Sequence, residues 1–209
     1  MVKDGVQTGL DFLGDTAHKA ADFAMDTINY GVHVLREYLL QYDFTVTEGV
    51  TISGTLALYQ AAGALGISGD SDGNIGLQLT LGAGWTTASE PSAAIQKYYS
   101  ITNACDIFAL EKEGTNIGAS YALKLKEIIA AFGLDLNLLG DINKHVDYIG
   151  ATFLAGVATA PGGEVHVQLP YTWILFSINV FEVWDYLYSK YYGREWLYKD
   201  IIKCCAATE

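Results

Sequence analysis

From Thr45 to Leu58 the chain alternates with a period of two, and neither of the two faces carries the charges of a solvated sheet. The even positions are Val46, Glu48, Val50, Ile52, Gly54, Leu56 and Leu58, and the odd ones are Thr45, Thr47, Gly49, Thr51, Ser53, Thr55 and Ala57. Successive side chains of a strand point to opposite faces, so this pattern puts an apolar set on one side and small polar groups on the other. Between Phe44 and Cys105 the charged residues are Glu48, Asp70, Asp72, Glu90 and Lys97. A half-exposed sheet in water carries Lys, Glu and Arg on its outer face. A second face of Thr, Ser, Gly and Gln instead points to burial, lumen lining, self-association or contact with lipid.

Further segments repeat the pattern. After a Gly- and Ala-rich stretch, Asp70-Ser71-Asp72-Gly73-Asn74 supplies turn chemistry. Ile75, Leu77, Leu79, Leu81, Ala83 and Trp85 then alternate with Gly76, Gln78, Thr80, Gly82, Gly84 and Thr86. Val46–Leu58 and this run read as a hairpin with both apolar sets on one side. Ala93 to Thr102 is a third strand with Tyr98 and Tyr99 on opposite faces, and Asp106 to Glu113 gives one helical turn. Ile117, Ala119, Tyr121, Leu123 and Leu125 alternate with Gly118, Ser120, Ala122, Lys124 and Lys126. Leu123 to Leu139 is rich in helix formers, yet Gly133, Asp135 and Asn137 keep the period of two and favour strand. Tyr148 to Thr159 and Glu164 to Leu169 complete the set, with Pro170 ending the last strand. Short turns without helical crossovers imply antiparallel pairing. The glycine content suits a closed barrel or a strongly curled sheet.

Helical spacing flanks this region. Val6, Leu10, Leu13, Ala17, Ala20, Ala24, Ile28, Val32, Leu35 and Leu39 form one stripe, giving an amphipathic N-terminal helix within 1–42. The antiparallel β domain occupies 43–170. An aromatic-rich helical segment fills 171–209, running from Ile174 to Cys205 and broken near Gly193. Trp184, Tyr188 and Tyr191 recur at four and three residues and share one face.

At 209 residues with 51% hydrophobic side chains, the chain holds enough apolar surface to exclude intrinsic disorder. A net charge of −12 excludes nucleic acid as a partner, because phosphate binding requires clustered Lys and Arg. No run reaches the roughly 18 apolar residues of a spanning helix, and Met1 to Gly5 lacks the pattern of a signal peptide.

No motif identifies a reaction. His18 and His33 are fifteen residues apart on one helix, and His145 has no partner by spacing. His166 shares a strand face with Glu164 and Gln168, where a carboxylate beside an imidazole can build a polar site; a solvated face is the plainer reading. Cys105 beside Asp106, and the carboxylate pairs Glu111/Glu113 and Asp135/Asp141, lack any local catalytic signature. Gly69 to Asn74 resembles the start of a calcium loop but lacks the distal acidic ligand, so it reads as a turn. Three cysteines, two of them adjacent, do not make a disulfide framework, and Lys203-Cys204-Cys205 is only a generic acylation sequence. No catalytic residue, metal ligand or cofactor is assigned.

Three segments resemble Gly-rich β-domains near the C-termini of bacterial polymorphic toxins of the Rhs and LXG kind: Asp43–Gly54, Gly73–Gln78 and Thr159–Val167. Asp11-Phe12-Leu13-Gly14-Asp15-Thr16 and Asp22-Phe23-Ala24-Met25-Asp26-Thr27 resemble the Asp-Phe repeats that precede such domains. The resemblance implies a secreted or membrane-associated bacterial effector that contacts or inserts into a membrane and has a cognate immunity or carrier protein; a non-enzymatic action is favoured, and a hydrolase ranks third for want of a site. The other reading is a soluble barrel binding an apolar small molecule or a protein partner. Under either reading Ile52, Leu56, Leu77, Leu79 and Trp85 face the lipid or ligand, and Thr51, Thr80, Glu164 and His166 occupy the polar face. Membrane lipid and a second copy of the chain join the candidate partners.

Overall fold

The structure, a computed structural model, describes residues 30, 31, 34, 42–88, 90–140 and 145–192. The chain divides into two compact units, 1–41 and 42–209. The N-terminal helix read from the sequence lies outside the described residues except at 30, 31 and 34, which are helical.

Eight strands build the second unit: β1 (Thr45–Leu56), β2 (Tyr59–Asp70), β3 (Asn74–Thr86), β4 (Ser92–Thr102), β5 (Gly114–Leu125), β6 (Ile128–Leu139), β7 (Tyr148–Ala158) and β8 (Gly162–Asn179). They pair antiparallel throughout and close as β1-β2-β3-β8-β5-β6-β7-β4. The barrel expected from the sequence is therefore present. Its order is two Greek keys, 4-1-2-3 followed by 8-5-6-7, related by a twofold exchange of the halves. The symmetry reaches the strand ends. Thr87 donates its N–H to Val165 O and accepts from Val165 N at Oγ1; Thr159 does the same with Ala93.

Following the register once around the sheet, from Thr55 through Gln60, Gly84, Gln168, Asn116, Asn137, Gly150 and Thr102, returns to β1 at Thr45. The stagger is thus 55 − 45 = 10 residues. For eight strands this stagger corresponds to a tilt of about 40° and an interior just wide enough for side chains or one small ligand.

Four details depart from the sequence reading. The Gly- and Ala-rich stretch after Leu58 is itself a strand, β2, so β1 pairs with β2 and β2 with β3 instead of β1 with β3. Its outward Ala61 and Gly63 are too small to mark an apolar face, which hid the alternation. The β1–β2 turn is tight, with Ala57 at φ 54. Pro170 does not end β8, which runs to Asn179. Thr172, of the same parity, donates its N–H to Lys112 O, so the N–H that Pro170 lacks faces the side where β5 has stopped pairing beyond Asn116. Ile174 consequently starts no helix. Tyr171, Trp173 and Leu175 extend the strand, as aromatic side chains favour, and Asn179 caps the following helix, α1 (Val180–Tyr192), accepting from Phe181 N and Glu182 N at 3.0 Å. Phe181 and Tyr188 of α1 are buried and Trp184 half-buried on one face; the expected helical segment beyond Tyr192 lies outside the described residues. Finally, Cys105 is disulfide-bonded, so it offers no free thiol.

The expected helical turn after Asp106 is a 3-10 turn, Ile107–Leu110, capped by Asp106 Oδ1 accepting from Ala109 N at 2.7 Å. The β4–β5 connection that contains it joins strands on different sides of the barrel. Ile107 N donates to Asp70 Oδ2 and Ala104 O accepts from Thr45 Oγ1, which seats the connection in one mouth. Ile107 and Ala104 are fully buried and Leu110 nearly so, packed with Leu139. Truncating Ile107→Ala should cost about 2–4 kcal/mol of unfolding free energy, as for other buried aliphatics. Chemical denaturation of the purified chain measures this, and an unchanged midpoint would mean that the plug is not seated.

Candidate functional site: the polar lumen

A closed sheet gives each side chain two options, lumen or exterior, and this chain sends its apolar set outward. Ile52, Leu56, Leu77 and Trp85 are exposed, and Leu79 is half-exposed on the same face as Leu77 and Leu81. Every strand contributes to this outer layer, including Leu65, Ile95, Ile117, Phe132, Phe153 and Val165. Ile52 and Leu79 lie on the same side of the sheet, as the shared alternation requires. The apolar face therefore encloses no cavity.

Within the strands and away from their ends, two charged side chains stand on the outer face among the described residues. They are Glu48 and Lys97, and they pair with each other, with the Tyr99 hydroxyl 3.0 Å from Lys97 Nζ.

The polar set fills the interior. Thr51 is buried and donates to Gly63 O at 3.3 Å, and Thr80 Oγ1 lies 3.0 Å from Thr172 Oγ1. Lumen hydroxyls and amides join in short chains: Asn137 Nδ2 donates to Thr152 Oγ1 at 2.7 Å, and Thr152 Oγ1 donates to Ser100 Oγ at 2.9 Å. Such pairing is what permits Thr, Ser, Asn and Gln to be buried at modest cost. A cavity of about 220 Å³ remains, reaching from Leu110 at the plug to Ala88, Glu90 and Pro161 at the other mouth. At that mouth the connections 87–91 and 159–161 each join strands three positions apart around the barrel.

Glu164 and His166 do not lie on a solvated strand face. Both point into the lumen together with Gln168, and His166 is 5% exposed. Glu164 accepts from Thr86 Oγ1 at 2.9 Å, Ser120 Oγ at 3.0 Å and Gln60 Nε2 at 3.5 Å. His166 Nε2 lies 3.2 Å from Asp135 Oδ1, and its Nδ1 lies 3.8 Å from Glu164 Oε1. Asp135 is brought there by β6 and is absent from the site read out of the sequence, as are Gln60, Thr86 and Ser120. They converge only through pairing across β2, β3, β5, β6 and β8; the available signal was an aspartate at an inward parity in the otherwise apolar run Ile128 to Leu139. Asp141 lies outside the described residues.

The imidazole and Asp135 meet over Gly118, which pairs with both in register. In the other half Gly49 pairs in register with Tyr98 and Gly66. One key thus fills its lumen with a buried tyrosine ring lying against two glycines, and the other holds an imidazole–carboxylate pair over one glycine.

No family model, curated protein or solved structure matches the chain.

A Cβ at Gly118 would overlap Asp135 Oδ1 and lie 2.6 Å from His166 Nε2, whereas one at the outward Gly54 would meet nothing closer than 3.9 Å. Gly118→Ala should therefore cost about 1–3 kcal/mol by forcing the pair apart, and Gly54→Ala should stay within about 0.5 kcal/mol of neutral or stabilise. Equal effects of the two substitutions on the unfolding midpoint would contradict the placement of the His166–Asp135 pair.

Proposed function

We propose that this barrel works embedded in a lipid bilayer, with its apolar layer against the acyl chains and its polar lumen closed off from them. The observation that carries the reading is the inverted distribution of side chains: large apolar groups outside on all eight strands, hydrogen-bonded polar groups inside. In water such a surface far exceeds the few hundred Å² of contiguous apolar patch that a monomer tolerates. The dimensions also fit. Seven of the strands are 11 to 13 residues long. At about 3.3 Å per residue and a tilt near 40°, each spans about 30 Å, the thickness of a bilayer's hydrocarbon core. Pairing of Glu48 with Lys97 lowers the cost of the two charges that the belt exposes. Tyr59, Trp85 and Tyr121 stand near one rim, where membrane barrels carry aromatic residues.

The reading is insertion, not wide conduction. Tyr98 and the Ile107–Leu110 plug occupy the path that an ion would follow. The helix α1, which follows β8, would lie at the bilayer surface. Export as an effector against a target membrane rests on the resemblance of the quoted segments and is the second half of the proposal. A protein partner covering the outer layer is the competing reading, and a membrane-free complex would favour it.

Lysine at an outer position separates water from lipid. Ile52 is 59% exposed, so Ile52→Lys should be near neutral if this face meets solvent. Facing lipid, the same change should cost about 2–4 kcal/mol near the midplane. The measurement is the folding free energy in liposomes. Liposome flotation of the wild type, with loss of stability in the variant, is the expected outcome. A wild type that stays soluble and monomeric without lipid or detergent would overturn the proposal.

A further inference from the structure

We infer that the lumen binds a small organic cation bearing several N–H donors, of the guanidinium or primary-amine class. The inference concerns the interior alone, so it stands whatever covers the outer face.

Charge supplies the first argument. The cavity is lined by the carboxylates of Asp135, Glu164 and Glu90, and by neither lysine nor arginine; His166 is its one basic side chain among the described residues. Even with the imidazole charged, the interior retains excess negative charge, and buried charge is otherwise paired or neutralised. Unused acceptors supply the second, independent argument. Gln60 Oε1 and Asn137 Oδ1 are buried without a hydrogen-bond donor, in residues 6% and 8% exposed that both line the cavity. The amide nitrogens of both are already committed, to Glu164 in one case and to Ser100 and Thr152 in the other. Tyr98 Oη and His166 Nδ1 are unpartnered there as well, so what the lumen lacks is positive charge carried on donors that reach these acceptors.

Geometry chooses between kinds of cation. The imidazole stands between the carboxylates, with Nε2 toward Asp135 and Nδ1 toward Glu164, so the two acids do not converge on a single point. Among the described residues no group of three His, Cys, Asp or Glu side chains is placed to hold a metal ion. A planar or elongated cation with separated donors fits this spread of acceptors better than a compact ion. Room is sufficient, since about 220 Å³ corresponds to about seven waters at liquid density. Water can supply hydrogen bonds but not the charge.

The test is calorimetric titration of the purified full chain, in the detergent that keeps it folded, with methylguanidinium chloride. Methylurea, neutral and nearly the same shape, is the control at matched ionic strength. Saturable binding of the cation and none of methylurea is expected, with affinity falling about tenfold in Glu164→Gln and unchanged in Glu48→Gln on the outer face. If Glu164→Gln fails to fold, Asn137→Asp serves instead: it is isosteric, places charge at an unused acceptor, and should tighten binding. No saturable binding, equal binding of methylurea, or unchanged affinity in each lumen variant that folds would overturn the inference.

Discussion

Closing eight strands on themselves removes every sheet edge and leaves each side chain a choice of two places. The lumen at this stagger is narrow, so the inward set must be small, or large opposite glycine, and every polar group in it must find a partner. Thr, Ser and Asn on β4, β6 and β7 meet most of that demand through short side-chain chains such as Asn137–Thr152–Ser100, leaving Gln60 Oε1 and Asn137 Oδ1 without a donor. Once those groups are inside, parity alone drives Ile, Leu, Val and the aromatics outward. The outer apolar layer is thus not a separate device but the other half of one alternation. A one-residue register slip would bury the apolar set and expose the polar one.

The two Greek keys show how the same frame yields different interiors. Tyr98 lies against Gly49 and Gly66 in one half, and His166 meets Asp135 over Gly118 in the other. Glu164, two residues away along β8, accepts three hydrogen bonds from β2, β3 and β5 and ties that pair to the strands on either side.

Much of this fold is legible in the sequence. The period of two identifies β1, β3, β4, β6 and β7, and correctly prefers strand over helix between Leu123 and Leu139 despite favourable helix propensities. It places Thr51 and Thr80 opposite Ile52 and Leu79, and sets Glu164, His166 and Gln168 on one face. It misses β2, because alanine and glycine on an outward face look the same as a loop, and it stops β8 at Pro170, because the direction of a missing N–H is not written locally. The other partner of His166 is out of reach for a related reason: Asp135 comes to it through a strand order, 8-5-6, that no local pattern encodes. The direction of the faces is also undetermined, since alternation distinguishes two sides without saying which is the inside. Closure decides that, and it turns a polar strand face into a lumen.

The central claim is that the outer layer of this barrel meets acyl chains, and depth-resolved fluorescence tests it most directly. The chain has four tryptophans, of which Trp173 lies opposite Leu79 near the middle of β3 and Trp85 one residue from that strand's end. Variants retaining only Trp173 or only Trp85 can be folded into vesicles of lipids brominated at chosen acyl positions. The account predicts that bromines near the bilayer centre quench Trp173 most strongly, and that bromines near the headgroups quench Trp85 more. Folded barrel whose tryptophans are untouched by bromine at any depth would contradict it.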